Sequence, residues 1–254
     1  MEIVQPMIRP ASETTAEAGL ARLAGLAPSE VLRRRLLRAA PSEPLPWPPD
    51  LDHPAWAALL DAVTVGETRL FRSAPQLLAL GALLPEAMAR PLRLLSAGCA
   101  TGEEAWSLAA LAAASSRPAE ILGLDLCRPA LRRAEAARYP AGPPDALREV
   151  PEPFHRFFPR EGTEILPRPG GSTQVSFRRA NLLEPPPDLP RFDAILCRNV
   201  LIYLLPEARA AVLRGLADRL LPGGTLLLGP TDTVPPGLGL RAVDGVHAIW
   251  QRAP

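Results

Sequence analysis

The sequence has no lysine, and its positive and negative charges almost balance. This excludes a partner that the net charge of the whole protein would attract. All 28 basic residues are arginine, and 27 acidic residues leave a formal net charge of only +1. A chain with so little net charge has no general attraction for nucleic acid or for anionic lipid. Any basic surface for a partner must therefore be local, and we expect no nucleic-acid partner.

Cysteine and histidine are too scarce and too scattered for a disulfide framework or a metal site. The three cysteines, Cys99, Cys127 and Cys197, are odd in number and form no C-x-x-C pair. Unpaired thiols of this kind are typical of a reducing cytosol. The three histidines are isolated from one another along the chain. We therefore expect a cytoplasmic location and no bound metal.

Long apolar stretches are also missing. No run approaches the roughly 18 apolar residues that a bilayer-crossing helix needs, and no basic-then-apolar segment marks a signal peptide. These absences predict a soluble protein. With 254 residues, 47% of them hydrophobic, the chain can form one α/β domain with a sizeable core and a small appended domain.

Helical periodicity dominates the first part of the chain. Residues 1 to about 19 lack this periodicity, and we expect them to have no regular structure. From Pro28 a helix is predicted that carries Arg34 and Arg38 together on one face, with Arg33 beside them. This helix would present a basic surface.

A proline-dense connector and two further helices follow. Residues 41–50, PSEPLPWPPD, contain too many prolines for a helix to cross them. Helices are predicted over about 53–63 and 73–88. A small N-terminal helical unit is therefore expected before the main domain.

From residue 92 onward, apolar strands alternate with helices. The predicted strands are LRLLSA (92–97), EILGLD (120–125), FDAILC (192–197) and TLLLG (225–229). The predicted helices run from Glu103 to about Ala114, from near Pro129, and from Pro206 to PGG at 222–224. Such alternation predicts an α/β fold with a doubly wound, mainly parallel sheet covered on both faces. Two short strands, about 238–242 and 246–250, are expected to pair antiparallel at its edge.

Residues 139–174 fit neither the helical nor the strand pattern. They are rich in proline and glycine, and they contain an aromatic group at Phe154, Phe157 and Phe158. A short hairpin is predicted before the segment TQVSFRRA. We interpret this stretch as a small β-subdomain inserted into the sheet domain.

Residues that carry chemistry follow the predicted strands. The first strand continues into SAGCATGEE, the second ends at Asp125, and later strands lead into RRANL and CRNVLIY. Ligands of doubly wound sheets bind outside the carboxyl ends of the strands. The sequence therefore predicts one binding cleft formed by these segments.

The glycine turn and Asp125 together favour a nucleoside ligand without phosphates, such as S-adenosylmethionine. The turn lacks the G-x-G-x-x-G of dinucleotide enzymes, and alone it is equally consistent with a plain strand–helix connection. A carboxylate at Asp125 could accept hydrogen bonds from both ribose hydroxyls, although a solvated acid at a helix start is the alternative. Glu103 and Glu104 would be counter-charges for the ammonium and sulfonium, or would only stabilise their helix N-terminus.

Six segments resemble, in order and spacing, the chemotaxis receptor methyltransferases, the CheR family. They are ETRLFRSAPQL, LLSAGCATGEEAWSLA, ILGLDLCRPALRRAEAARY, RRANLLE, FDAILCRNVLIYL and RLLPGGTLLLG, within residues 20 to 250. The resemblance implies a class I, Rossmann-like methyltransferase that uses S-adenosylmethionine and releases S-adenosylhomocysteine. It implies methylation of glutamate side chains on the cytoplasmic helices of methyl-accepting chemoreceptors, by a monomer that does not insert into the membrane.

The resemblance also implies a domain division. A small helical domain with the basic helix would occupy 1–66, a linker helix region 67–91 and the methyltransferase domain 92–254, with the β-subdomain at 139–174.

Roles for individual residues follow from the same resemblance. The implied cofactor contacts are Thr68, Arg72, Ala97, Gly98, Glu104, Asp125, Asn181, Leu182, Arg198 and Asn199. The implied catalytic residues are Arg72, Arg198 and Tyr203. The implied receptor-docking residues are Arg33, Arg34 and Arg38.

The expected reaction needs no general base. A glutamate acceptor has a pKa of about 4.3 and is already ionised at neutral pH, which agrees with the lack of a histidine in any of the motifs. Positioning and desolvation would supply the acceleration, with Tyr203 donating to the carboxylate and Arg72 orienting it. A bidentate salt bridge is disfavoured, because it would stabilise the reactant more than the transition state.

Several positions depart from the family pattern and leave other functions open. Gly66 replaces a usual asparagine, Leu70 an aromatic residue, Ser73 an acid, and Cys127 a second acid after Asp125. The alternatives are a CheR-like module that binds the cofactor or a signalling partner without turnover, and a methyltransferase for another protein or a small carboxylate.

Overall fold

The computed structural model describes residues 11–39, 44–85 and 89–253. In these ranges the chain forms four N-terminal helices, α1 (Ala11–Ala24), α2 (Glu30–Ala39), α3 (Pro54–Val63) and α4 (Ala74–Leu83). Residues 40–43 and 86–88, which carry parts of the predicted connector and of the third predicted helix, lie outside the described residues. No helix in the described ranges has the length and apolar character needed to cross a membrane.

Helix α1 corrects the expectation that residues 11–19 have no regular structure. Its packing face consists mainly of small residues, with Ala16, Leu20 and Ala24 buried at intervals of four. Gly19 lies against the indole of Trp56 so closely that a Cβ at Gly19 would come within 1.9 Å of a ring carbon. Because small residues give a weak hydrophobic pattern, the sequence did not show this helix.

Helix boundaries follow local chemistry. The Ser29 hydroxyl accepts a hydrogen bond from the Leu32 N–H (3.1 Å) and so caps α2. Helix α4 ends at Leu83, earlier than the predicted residue 88, and Leu84 is extended. Leu84 precedes Pro85, and a residue before proline is sterically disfavoured in the helical conformation.

A seven-stranded sheet forms the centre of the molecule. In chain order its strands are β1 (Leu92–Ala97), β2 (Ala119–Asp125), β6 (Thr173–Arg179), β7 (Phe192–Cys197), β8 (Leu220–Leu228), β9 (Leu240–Ala242) and β10 (Ile249–Arg252). The spatial order is β6-β2-β1-β7-β8-β10-β9, in which the first five strands are parallel. The last two strands pair antiparallel at one edge, as the sequence predicts.

Helices α5 (Glu103–Ala114), α6 (Arg128–Ala136) and α7 (Pro206–Asp218) cover the sheet, and α4 packs on it beside α5. Two buried apolar clusters lie on either side of the strands, which confirms the doubly wound, Rossmann-like prediction. The chain winds outward from β1 in both directions, so the switch in strand order lies between β1 and β7.

The predicted end of the helix after Pro206 was wrong. Helix α7 ends at Asp218, and the PGG segment lies inside β8 beside a register shift between Phe192 and Ala194. Gly223 has a φ of +72°, a left-handed conformation that glycine adopts without strain. The glycines of this segment were expected to end the helix. They instead allow the irregular backbone at the start of β8.

A small antiparallel sheet lies within residues 139–174. Its strands, in chain order β3 (Tyr139–Pro140), β4 (Arg160–Glu161) and β5 (Glu164–Ile165), take the order β3-β5-β4. The Phe71 ring packs against Phe154 and Phe158, with ring centroids 4.7 and 6.2 Å apart. Strand β6 begins at Thr173, so the last two residues of this range belong to the large sheet. The division into domains stays a prediction.

One buried acid anchors the amino ends of β1 and β7. The Asp193 carboxylate accepts two hydrogen bonds from the Arg90 guanidinium (2.8 and 2.9 Å) and one from the Arg93 N–H (2.8 Å). The ion pair also raises the pKa of Arg90, chiefly through the hydrogen bond to Asp193. This contact fixes the start of both strands.

Replacing Arg90 with methionine should lower the free energy of unfolding by about 3 kcal/mol, because it leaves the buried Asp193 carboxylate without its counter-charge. The matched control is Arg93→Met, which removes an exposed pair with Glu120 and should cost less than about 1 kcal/mol. Urea denaturation followed by circular dichroism measures both losses. Equal losses for the two variants would contradict the assignment.

Candidate functional site

A cleft opens at the carboxyl ends of the central strands, and the N-terminal helices form its opposite wall. The predicted site residues that line it are Thr68, Arg72, Gly98, Glu104, Asp125, Asn181, Leu182, Arg198, Asn199 and Tyr203. Ala97, also predicted to bind the cofactor, is fully buried as the last residue of β1 and is not part of the lining. The structure thus brings together residues that are far apart in sequence.

The N-terminal wall is a feature that the sequence did not predict. It consists mainly of apolar side chains from α1, α2, α3 and the segments beside them, including Leu26, Val31 and Val63. The chain near Leu26 forms a β-bridge with Leu204, and the Ala27 N–H donates to the Tyr203 carbonyl (2.8 Å). No sequence motif predicts these contacts, because apolar side chains and backbone groups form them.

The glycine turn after β1 is packed tightly against the protein, and Gly98 lines the cleft. Gly98 has a φ of +80°, and a Cβ at this position would lie 2.3 Å from a Val200 methyl carbon. The Gly98 and Cys99 N–H groups both donate to the Leu124 carbonyl, at 2.7 and 2.9 Å. The turn is therefore held tightly against β2, and only glycine fits at its first position.

Asp125 lies at the end of β2 with its carboxylate fixed by two backbone donors. The Ala100 N–H donates to Oδ2 and the Cys127 N–H to Oδ1, each at 2.8 Å. Burial raises the pKa of Asp125, while these hydrogen bonds act in the opposite direction. A carboxylate has about four acceptor sites, so Asp125 retains capacity for the two hydroxyls of a ribose.

A buried ion pair crosses the floor of the cleft. Arg198 donates through Nε to Glu104 Oε2 at 2.7 Å, and the two side chains are only 4% and 9% exposed. The Ser96 hydroxyl donates to the other Glu104 oxygen at 2.7 Å, and a terminal Arg198 nitrogen donates to the Arg72 carbonyl at 2.7 Å. This network joins β1, α5 and β7 to the segment that carries Arg72.

Arg72 projects from a sharply bent segment. Its neighbours Phe71 and Ser73 both have positive φ angles, 53° and 57°, which are costly for residues other than glycine. The Phe71 N–H donates to the Ser107 hydroxyl (2.8 Å), and the Arg72 guanidinium donates to the Glu67 carbonyl (3.1 Å). The bend places a half-buried guanidinium in the cleft wall.

Only one of the two consecutive glutamates lines the cleft. Glu103 accepts a hydrogen bond from the Thr101 hydroxyl (2.6 Å) and is not part of the lining. Burial raises the pKa of Glu103. Adjacent side chains on a helix diverge by about 100°, so Glu103 lies outside the cleft wall, and its role as a counter-charge stays a prediction.

Asn181 uses its side chain within the protein. Its amide nitrogen donates to the Leu23 carbonyl at 2.6 Å, and its amide oxygen accepts from the Leu183 N–H at 3.1 Å. Asn181 therefore ties the strand ends to α1 while it lines the cleft. Nearby, Asn199 has a φ of +59° and is half-buried, as is Tyr203 in the short 3₁₀ helix Leu201–Tyr203.

The three arginines predicted to dock a receptor lie on α2, outside the cleft lining. Arg33 and Arg34 both pair with Glu30, at 3.3 and 3.0 Å, in exposed ion pairs. Arg38 is exposed beside Arg35, whose guanidinium donates to the Thr64 carbonyl at 2.8 Å. Val31 of the same helix lines the cleft, so the basic surface adjoins its mouth.

Metal-ligating residues and cysteines add no further site in the described ranges. In the part of the chain that the structure describes, no three His, Cys, Asp or Glu side chains cluster as a metal site would require. The three cysteines are free and buried.

Comparison with known proteins agrees with the resemblance seen in the sequence. The family described as CheR methyltransferase, SAM binding domain, matches residues 66–241, which include Thr68, Tyr203 and the lining residues between them. Chemotaxis protein methyltransferase 1 of Vibrio cholerae is 34% identical over 187 residues, covering 70% of this chain and 68% of that protein. Chemotaxis protein methyltransferase 1 of Pseudomonas aeruginosa is 31% identical over 194 residues, covering 69% of each.

A solved structure gives a more distant likeness. N-methyltransferase NodS from Bradyrhizobium japonicum WM9, in complex with S-adenosyl-L-homocysteine, is 18% identical with a TM-score of 0.39. The likeness covers 79% of this chain and 72% of that chain.

If Asp125 accepts the ribose hydroxyls of the cofactor, as the sequence predicts, acidification should weaken binding of S-adenosylhomocysteine, because protonation removes this acceptor. Burial raises the pKa of Asp125, so binding should weaken at a higher pH than the value of about 3.9 typical of an exposed aspartate suggests. Titration calorimetry across this pH range measures the dissociation constant. The control Asp125→Asn should bind weakly at every pH. A wild-type affinity that does not fall on acidification would contradict the role of Asp125.

Proposed function

Because the chain belongs to the CheR methyltransferase family, we propose that it methylates glutamate side chains on the cytoplasmic helices of chemoreceptors. The observation that carries this proposal is the cleft, where Arg72 and Tyr203 lie in one lining with Asp125 and Glu104. Relatives named chemotaxis protein methyltransferases support the choice of receptor. The protein would act in the cytoplasm, as a monomer, without nucleic acid.

The cofactor of this methyltransferase is S-adenosylmethionine, and the cleft residues fit it. Asp125 would accept the ribose hydroxyls, Glu104 would face the ammonium group, and Leu182 would lie along the adenine. Gly98 lies in the same lining, at a turn where only glycine fits beside Val200. When bound, the cofactor supplies a methyl group that its sulfonium has already activated.

The protein's own task is then to position an ionised carboxylate and to exclude water from it. A glutamate with a pKa of about 4.3 needs no base at neutral pH, and the described cleft lining contains no histidine. Tyr203 would donate its phenolic O–H to the carboxylate, and Arg72 would orient it through one contact. A weak interaction with the carboxylate suits the reaction, because the carboxylate loses negative charge in the transition state.

Arg198 fits a positioning role better than the catalytic role that the family resemblance implied. Its guanidinium is buried and donates to Glu104 and to the Arg72 carbonyl. It would therefore act through Arg72, whose position it fixes by the hydrogen bond to the Arg72 carbonyl.

The basic surface of α2 fits an acidic helical partner. Arg34 and Arg38 follow Val31 by about one and two turns on the helix whose start borders the cleft. A receptor helix that lies along α2 would bring its glutamates to the cleft mouth. Long-range attraction would then contribute to receptor affinity.

Gly66 favours a second candidate, a domain that binds the cofactor without turnover. The resemblance places asparagine at this exposed position, and the space around Gly66 is open. A side-chain contact at the cofactor would be missing in this chain. A transfer assay separates the two candidates.

The direct test is incubation with methyl-labelled S-adenosylmethionine and a purified cytoplasmic receptor fragment. Label that base treatment releases as methanol supports glutamate methyl esters. Cofactor binding without label on the receptor would support the binding module instead. Base-stable label would indicate a different acceptor chemistry.

Arg72→Ala should lower kcat about 100-fold while the protein stays folded, because the acceptor carboxylate is no longer oriented. The matched control is Arg69→Ala, which removes a cation three residues away that pairs with Glu149. That variant should turn over at nearly the wild-type rate. Undiminished turnover by Arg72→Ala would remove Arg72 from the catalytic residues.

Replacing both Arg34 and Arg38 with alanine should raise KM for the receptor about fivefold at low salt, as expected for two exposed charge contacts of about 0.5 kcal/mol each. The effect should shrink as salt screens the charges. Replacing the exposed Arg132 of α6 serves as the control. A salt-independent effect would indicate that the two arginines act through helix packing instead.

A further inference from the structure

Asp61 of α3 binds the turn that follows Asp125. One Asp61 oxygen accepts from the Arg128 N–H at 2.9 Å, and the other accepts from the Arg128 guanidinium at 2.7 Å. The Asp61 side chain is 14% exposed. An acid of the N-terminal wall therefore holds the segment that leads out of the ribose-binding position.

Two carboxylates hold consecutive N–H groups of this turn. Asp125 accepts from the Cys127 N–H and Asp61 accepts from the Arg128 N–H. A shift of the turn would therefore disturb both hydrogen bonds.

A second contact reinforces the same turn. The Arg179 guanidinium donates to the Leu126 carbonyl at 3.3 Å and to the Leu51 carbonyl at 3.0 Å. Leu126 lines the cleft. Arg179 thus ties the cleft side of the turn to the segment that precedes α3.

We infer that Asp61 is a positioning residue for cofactor binding, which holds residues 126–128 so that Asp125 and Leu126 face the adenosyl group. In this arrangement the N-terminal helices serve cofactor binding as well as receptor docking. This inference rests on binding of the family's cofactor, S-adenosylmethionine, in the cleft. It does not require that a chemoreceptor accepts the methyl group.

Asp61→Ala should raise the dissociation constant of S-adenosylhomocysteine about tenfold, as expected when a hydrogen bond to a charged group is lost. Asp61→Asn keeps an acceptor for the Arg128 N–H and should give an intermediate value. The matched control is Asp188→Ala, which removes an acid that is 66% exposed and pairs with Arg178 outside the contacts of this turn; its affinity should stay at the wild-type value. At saturating cofactor, kcat of the Asp61 variants should stay close to the wild-type value, since their defect lies in cofactor binding.

The thiol of Cys127 provides a second readout. Cys127 is 8% exposed, compared with 1% for Cys99 and 0% for Cys197, and its sulfur lies 3.8 Å from the Asp61 carbonyl oxygen. Burial raises the pKa of Cys99 and Cys197, which makes both thiols poor nucleophiles. Reaction with a disulfide reagent should therefore report mainly on Cys127, and Cys127→Ser identifies that signal.

S-adenosylhomocysteine should slow the reaction of Cys127 in the wild-type protein, and Asp61→Ala should accelerate it. Should Asp61→Ala fail to fold, Asp61→Asn and Arg128→Met provide the same test. Wild-type affinity and unchanged Cys127 reactivity in the folded Asp61 variants would overturn the inference. A loss of thermal stability with normal affinity would also overturn it, because that result describes a purely structural contact.

Discussion

The buried ion pair between Arg198 and Glu104 is the contact on which the arrangement of the cleft depends. Arg198 directly follows β7 and Glu104 lies in the first turn of α5. Ser96 of β1 and the Arg72 carbonyl complete the hydrogen bonds of the pair. Removing one partner would leave an uncompensated charge among buried groups, which costs several kcal/mol. Arg72 and Glu104 therefore keep a fixed geometry relative to the strand ends.

The cleft has two walls of different origin. The strand ends supply polar groups, and the N-terminal helices supply most of the apolar surface opposite them. Backbone pairing near Leu26 and Tyr203, together with the contacts of Asp61 and Asn181, joins the two walls. Such a site can exclude water from a charged nucleophile, and this desolvation is what transfer to an ionised carboxylate requires.

The sequence predicted the parallel sheet well, because buried strands are continuous apolar runs and their polar ends are distinct. It also indicated which residues meet at the cleft, since the carboxyl ends of parallel strands lie at one edge. It missed α1, whose packing face at Gly19 and Ala16 is too small to give a hydrophobic pattern. It could not predict the Arg198–Glu104 or Asp61–Arg128 pairs, because such long-range contacts depend on the packed tertiary structure.

In the proposed reaction, the cleft transfers a methyl group to a carboxylate that is already ionised, without a general base. The pH dependence of kcat at saturating cofactor and acceptor tests it most directly. The account predicts a flat profile from about pH 6 to pH 8, because a glutamate with a pKa of about 4.3 is ionised throughout. A kcat that rises in proportion to hydroxide concentration across this range would reveal an essential base and would contradict the account.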